Sequence, residues 1–280
     1  MGIFGPPNIE QLKAKRDIQG LIKALSYQKD GNVRCSACEA LGDLQSAAAV
    51  EPLIAATADA SPDVRRYAAT ALGTIGDARA VAGLVTLLKD TDKNIEIAVI
   101  GALSKIGVPA VNQLIVALKN PNDHTRACAA VALGRIGDPQ AVKPLLTAYQ
   151  EQKLRNSLNA LVKIGPPAVD GLVAALVATC ESGERDGRRV ADYFSALTEI
   201  GAAAVDALIV ALKDKNDWLR MLAAGMLGRI DGSLQDTALH ARIVEALNAT
   251  LKDGNKDVRM TAAQALMHGD GIKLDPPEPD

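Results

Sequence analysis

A leucine near the end of an amphipathic segment returns down this chain at Leu41, Leu72, Leu103, Leu133, Leu161, Leu197, Leu227 and Leu266. The steps are 31, 31, 30, 28, 36, 30 and 39 residues. A period near thirty, held eight times, leaves few architectures open. Each unit is one supersecondary element that cannot bury its own apolar face, so it must stack on its neighbours.

Residues 61–90, SPDVRRYAATALGTIGDARAVAGLVTLLKD, show the unit in full. Asp63-Val64-Arg65 opens a helix, and Ala68, Ala71, Leu72 and Ile75 follow at three- and four-residue steps along one face. Gly76 fits a left-handed cap at the helix end. Val81, Leu84, Val85 and Leu88 then mark another amphipathic helix, closing on Lys89. The chain as a whole predicts an all-α, right-handed α-solenoid of about eight helical hairpins.

The hairpins pair Ile18–Leu25 with Val33–Leu41, Val50–Thr57 with Val64–Ile75, Val81–Leu88 with Ile95–Ile106, and Val111–Leu118 with Thr125–Ile136. Then come Val142–Tyr149 with Leu154–Ile164, Val169–Leu176 with a segment through Tyr193 and Leu197, Val205–Leu212 with Leu219–Ile230, and Ile243–Leu251 with Val258–Leu266. Two insertions interrupt the spacing, Glu181–Arg189 and DGSLQDTALHAR after Ile230; insertions of this kind map to loops. Residues 1–17 read as an N-terminal cap, with Asn8 and Gln11 spaced as a capping box and Ile3 and Phe4 available to cover the first repeat or to meet a partner. Residues 18–268 read as one elongated solenoid domain. Residues 269–280, rich in proline and aspartate, read as a disordered acidic tail.

The pattern resembles HEAT repeats in the short form of the bilin-lyase-like group. The matching residues are Asp63-Val64-Arg65, Ala71-Leu72-Gly73-x-Ile75-Gly76-Asp77 and Ala80-Val81-x-x-Leu84. They return as Ala132-Leu133-Gly134-Arg135-Ile136-Gly137-Asp138 and Ala141-Val142-Lys143-Pro144-Leu145. The resemblance covers about residues 18–268. It implies a fold more firmly than an activity, since sites are grafted onto folds.

A net charge of −2 and a pI of 6.0 remove the concentrated basic face that nucleic-acid binding needs. Aromatic residues are 2% of the chain, so base-stacking platforms are scarce. No run of about twenty apolar residues suggests a membrane span. The N-terminus lacks a secretory pattern, and Pro6 stands where a myristoylation signal has Ser or Thr. Four cysteines are not a disulfide framework. These features predict a cytoplasmic protein.

Arg34, Arg65, Arg126, Arg220 and Arg259 share one repeat position, which Glu96 takes in the third repeat. They read either as a stripe for anionic partners or as a structural ladder. The resemblance implies the ladder, with turn aspartates such as Asp43, Asp77 or Asp138 and loop carbonyls as partners. Cys35-x-x-Cys38 has redox and metal half-site spacing, but without a second such pair it also reads as two buried thiols in place of alanine. His124, His240 and His268 look scattered. No histidine is followed by glutamate, as in the paired motifs of deoxyhypusine hydroxylase, an iron enzyme built from HEAT repeats. Gly73–Gly76 and Gly134–Gly137 have the spacing of an RNA-clamping loop, yet the recurring helix end explains them as well. No catalytic, cofactor or metal site is predicted.

In HEAT solenoids the second helices line the concave side. Relative to Arg65, positions +1, +2, +5 and +9 point outward there, while +3, +6, +7 and +10 face the core. Cys128, at +2 in its repeat, is thereby expected outside. Tyr67, Ile97, Val131, Met221, Leu222 and Met260 put apolar surface on that face, and Lys105, Arg135, Lys163 and Arg229 form a basic edge. Contiguous exposed apolar surface marks an interaction site, unless tighter curvature buries it. The reading is a non-catalytic scaffold that binds a partner polypeptide on the concave face, as a monomer or within a heteromeric complex, with no nucleic acid and no membrane. The resemblance also implies an alternative: a bilin lyase or chaperone-like subunit acting on a phycobiliprotein-type antenna protein.

Overall fold

A computed structural model describes residues 6–182 and 187–270. The chain has an all-helical repeat solenoid fold, and no strand occurs among the described residues. It divides into two compact units, residues 1–160 and 161–280.

The first unit opens with α1 (Ile9–Ala14) and then alternates first and second helices: α2 (Ile18–Ala24) and α3 (Gly31–Asp43), α4 (Val50–Ala56) and α5 (Pro62–Ile75), α6 (Val81–Leu87) and α7 (Lys93–Ile106), α8 (Val111–Ala117) and α9 (Asp123–Ile136), and α10 (Val142–Gln152). Helix α11 (Arg155–Ile164) carries the chain across the division. The second unit holds α12 (Val169–Glu181) and α13 (Gly187–Ile200), α14 (Val205–Ala211) and α15 (Asp217–Asp231), and α16 (Thr237–Thr250) and α17 (Lys256–Asp270). The eight hairpins expected from the leucine period are present, and every one of the eight leucines is buried.

Second helices stack directly on one another: α3 on α5, α5 on α7, α7 on α9, and in the second unit α15 on α17. The stacking is close because glycine lies at the seam. A Cβ on Gly73 would stand 2.5 Å from the Cα of Ala102, and Gly42, Gly134 and Gly228 meet Ala71, Ala160 and Ala265 in the same way. Gly76 and Gly137 do the other job, ending α5 and α9 with φ of 74° and 76°. The paired glycines are thus helix packing and helix termination. Side-chain caps start several of the helices, mainly second helices: Asn8 accepts from the Gln11 N–H, Asp92 caps α7, and Asn122 caps α9.

Three expectations change. The second insertion is not all loop, because Thr237–Arg242 is already helical and lengthens α16 at its start; Asp236 caps it there. The first insertion is partly absorbed by the ends of α12 and α13, and its residues 183–186 fall outside the described residues, as do Ile3, Phe4 and the tail from residue 271. One stretch, Gly187–Ala211, is long and apolar enough to cross a membrane by length and composition. It is interrupted at Gly201, φ 73°, and Val190, Tyr193, Ala196 and Leu197 are buried in a helix that packs on α12 and α15. That is one buried face of a helix packed in the solenoid.

Candidate functional site

The arginines form a ladder, with different partners from those expected. Arg34 Nε and Nη2 donate to the two oxygens of Asp59, each at 2.8 Å, and Nη1 donates to the Tyr27 carbonyl at 2.9 Å. Arg65 donates to the Asp59 carbonyl at 3.0 Å and to the carboxylate of Asp90 at 2.8 Å. In the second unit Arg220 forks onto Asp253 at 2.8 and 2.9 Å, and Arg259 donates to the Asp253 carbonyl at 2.8 Å. Each rung therefore ties a second helix to the hairpin turn of the following repeat. Asp43, Asp77 and Asp138 are not partners: Asp43 meets Lys13, Asp77 meets Arg79, and Asp138 accepts from the Gln140 N–H. The reason is direction. An arginine in the first turn of a helix leans toward the N-terminus, whereas Asp77 lies beyond the C-terminus.

The ladder is charge-stabilised. Asp59 is disfavoured as an anion by burial, but the Arg34 fork and the Ser61 N–H outweigh this and hold its carboxyl below the usual value. The Arg220 hydrogen bond does the same for Asp253.

In the third repeat the ladder stops. Glu96 replaces the arginine and Asn120 replaces the turn aspartate. Arg126 keeps its carbonyls, Asn120 at 2.8 Å and Pro121 at 3.1 Å, but its Nε has no acceptor among the described residues. Three side chains that looked unrelated meet at this break. His124 Nε2 lies 3.7 Å from Glu96 Oε2 and 3.6 Å from Cys128 Sγ. It also lies 3.0 Å from the Asp90 carbonyl oxygen. All three side-chain donors fall within 4.8 Å of one another. Lys93, largely exposed, meets Glu96 from the solvent side at 2.6 Å. Cys128 is only 3% exposed, so its expected outward placement is corrected: the seam between α7 and α9 closes over it. Burial, then the nearby Glu96, pushes its thiol up to about 11.

Burial acts on the other cysteines in the same direction. Burial pushes Cys38 up to about 12 and raises Cys35 and Cys180. The start of α3 does not activate Cys35, and the pair are buried thiols in alanine-like positions.

The ten outward residues divide between the units. In the first, Ile97 on α7 is 61% exposed, Tyr67 and Val131 are half-buried, and Lys105 and Arg135 are exposed. Arg66 lies over the Tyr67 ring, 4.3 Å from its centroid. In the second, Met260 is 52% exposed, Met221 and Leu222 are half-buried, and Lys163 and Arg229 are exposed. Arg229 sits 5.1 Å from the Phe194 ring. Met221 borders an open concavity of about 550 Å³ that also takes in Trp218, Asn216 and Val258.

Some exposed apolar surface lies on the first helices and was not expected. Val116 on α8 and Val210 on α14 are each 71% exposed. They occupy one register, Leu-Ile-Val-Ala, in both hairpins. Aligning the repeats by the first helix as well as the second would have found them.

The family model for HEAT repeats matches residues 18–93, 50–115 and 81–161. Together these run from 18 to 161, just over half of the 280 residues. The chain belongs to the HEAT-repeat family. The match is to HEAT repeats in general and does not single out the bilin-lyase-like group. Among solved structures, the karyopherin Kap121p bound to the extreme C-terminus of the protein phosphatase Cdc14p has a TM-score of 0.53 at 17% identity, covering 91% of this chain and 34% of that one. Importin beta has a TM-score of 0.49 at 16% identity, with 91% and 43% covered. Human deoxyhypusine hydroxylase in complex with glycerol has a TM-score of 0.38 at 21% identity, with 96% and 100% covered. The HEAT-repeat chain thus spans about a third of the karyopherin's length. At these identities the likeness is one of fold. Among curated proteins none matches this chain in sequence.

Proposed function

We propose that this HEAT-repeat chain is a non-catalytic scaffold that holds a polypeptide segment on its second helices. The observation that carries the reading is the exposure of Ile97 and Met260 at outward positions of α7 and α17. In the first unit Ile97 and Tyr67 share their helix layer with exposed Lys105 and Arg135. Such a surface suits a segment with apolar anchors flanked by acidic residues: apolar contact gives affinity and the basic rim gives register and encounter rate. Met221 and Met260 add adaptable contact surface in the second unit. The raised thiols of Cys35, Cys38 and Cys180 favour a binding role over nucleophilic catalysis. A karyopherin of related fold was solved holding a protein terminus, which supports the reading by analogy of fold.

The test is affinity capture from the source cell with the wild-type chain, Ile97→Asp, and Lys105→Glu/Arg135→Glu. The expected result is one partner set lost in both variants while their thermal melts stay within a few degrees of wild type. Capture of the same proteins by Ile97→Asp would refute the proposed face.

A further inference from the structure

We infer that Glu96, His124 and Cys128 form a binding site for a thiophilic divalent cation of the zinc class, bridging α7 and α9 where the arginine ladder is broken. The chemistry of the donor set comes first. A carboxylate, an imidazole and a thiol are the three ligand types that tetrahedral zinc accepts, and a thiol–imidazole pair disfavours calcium or magnesium, which take oxygen ligands. The geometry agrees. Zinc bonded at its usual lengths holds its ligand atoms about 3.4–3.6 Å apart. His124 Nε2 is 3.6 Å from Cys128 Sγ and 3.7 Å from Glu96 Oε2. The 3.7 Å separation exceeds a hydrogen-bonding optimum, the 3.6 Å one is also that of a sulfur hydrogen bond, and both suit a shared ion.

The placement follows from the repeat. His124 and Cys128 are four residues apart, on one face of α9, and Glu96 lies in the first turn of α7, which packs on that face. The Asp90 carbonyl oxygen accepts from His124 Nε2 at 3.0 Å; an ion would take the place of that proton, and the carbonyl could then accept from an ion-bound water. Lys93 is the competing cation on Glu96, and its exposed, flexible stem lets it withdraw. With Glu96 and a Cys128 thiolate the ion would be neutralised within the site.

The site also answers a structural deficit. At three other seams an arginine and an aspartate clasp successive repeats, Arg34–Asp59, Arg65–Asp90 and Arg220–Asp253. Between the third and fourth repeats both members are replaced, and the three donors occupy the gap. A bound ion would restore a cross-repeat tie there.

The experiment uses the full chain, reduced and stripped with a chelator, and titrates it with Co²⁺ as a spectroscopic probe and Zn²⁺ against a competing indicator. One equivalent of Co²⁺ should produce a thiolate-to-cobalt charge-transfer band. The band should disappear in Cys128→Ala and His124→Ala and persist in Cys35→Ser/Cys38→Ser. Zn²⁺ should raise the Tm of the wild type and leave that of Cys128→Ala unchanged. Circular dichroism confirms that the variants fold, and Glu96→Gln, which leaves the thiol and imidazole in place, should weaken Zn²⁺ binding at least tenfold. Absence of the band in a folded wild-type chain would overturn the proposal. So would a band that survives Cys128→Ala, or one abolished only by Cys35→Ser/Cys38→Ser.

Discussion

Replacing Asp59 with asparagine removes the charge that a whole rung depends on. The side chain keeps its size and one acceptor oxygen, so the Ser61 N–H, now bound at 2.8 Å, can still be satisfied. Its amide nitrogen would face the Arg34 fork, donor against donor. Arg34 would retain the Tyr27 carbonyl and, through Nη2, the remaining oxygen, while its Nε would lose its acceptor. Exposed ion pairs contribute about 0.2–1 kcal/mol, and breaking a fully buried pair costs about 3–5 kcal/mol. The Arg34 and Asp59 side chains are 11% and 15% exposed, which puts the expected loss between, at about 2–3 kcal/mol. If the first unit unfolds cooperatively, this lowers its Tm by about 5–10 °C.

A double-mutant cycle isolates the pair. Arg34→Met alone, Asp59→Asn alone and the two together are compared by urea unfolding. Native-state hydrogen exchange on α3 and α5 accompanies it, because repeat arrays depart from two-state behaviour. The coupling should be about 1.5–2 kcal/mol, since removing both charges spares Arg34 the loss of its partner. Arg242–Asp206, whose side chains are 54% and 73% exposed, is the control and should show no measurable coupling. If the Arg34–Asp59 coupling is as small as the control's, the ladder does not hold the repeats together and the reading is wrong.

The pH dependence has a definite sign. Asp59 and Asp253 have folded-state pKa values below their unfolded ones, so their contribution is present above the unfolded value of about 4 and is lost as pH falls through the folded values; wild type and Asp59→Asn should differ in urea midpoint at pH 7 and converge as pH falls below the folded value. Gly73→Ala should cost at least about 1–3 kcal/mol in urea unfolding, because its Cβ meets the backbone of Ala102. Gly101→Ala, with nothing within 4 Å, should stabilise by about 0.5–1 kcal/mol. Iodoacetamide at pH 7 should label the native cysteines far more slowly than the urea-unfolded chain, with Cys38 the slowest; rapid native labelling of Cys35 would revive the redox reading. Ile97→Asp and Met260→Asp should change Tm little, whereas Met221→Asp and Leu222→Asp, at half-buried positions, should lower it, read by thermal melts.

How much of this was readable beforehand depends on the range of the interaction. The eight hairpins follow from the period of Leu41 to Leu266 and from the left-handed glycines, both properties of a single helix and its end. Helical position also placed Ile97, Lys105, Arg135 and Met260 outward. Contacts between repeats are different, because they depend on the offset at which one hairpin stacks on the next. Arg65 was recognised as structural, but its acid lies in the following hairpin turn at Asp90 rather than at Asp77. Cys128 satisfies the rule for an outward position, yet the adjoining helix covers it.

That same offset explains why the metal-ligand set was hidden. Glu96 and His124 are 28 residues apart, nearly one period, and neither lies in a recognised motif. What marks the place is a joint departure: the third repeat gives up its ladder arginine, and the fourth gives up the turn aspartate at Asn120. Losing Arg alone would leave a turn carboxylate without its counter-ion, and losing Asp alone would leave a guanidinium half-buried and unpaired. Either single change is unfavourable, yet Arg126 keeps its turn carbonyls with no acceptor on its Nε among the described residues, so the array tolerates an unmatched member. A pair that has gone from a stacked array leaves a seam with a polar lining and no bond across it. At this seam the lining is a carboxylate, an imidazole and a thiol, so one place where the ladder gives way has the chemistry to bind an ion.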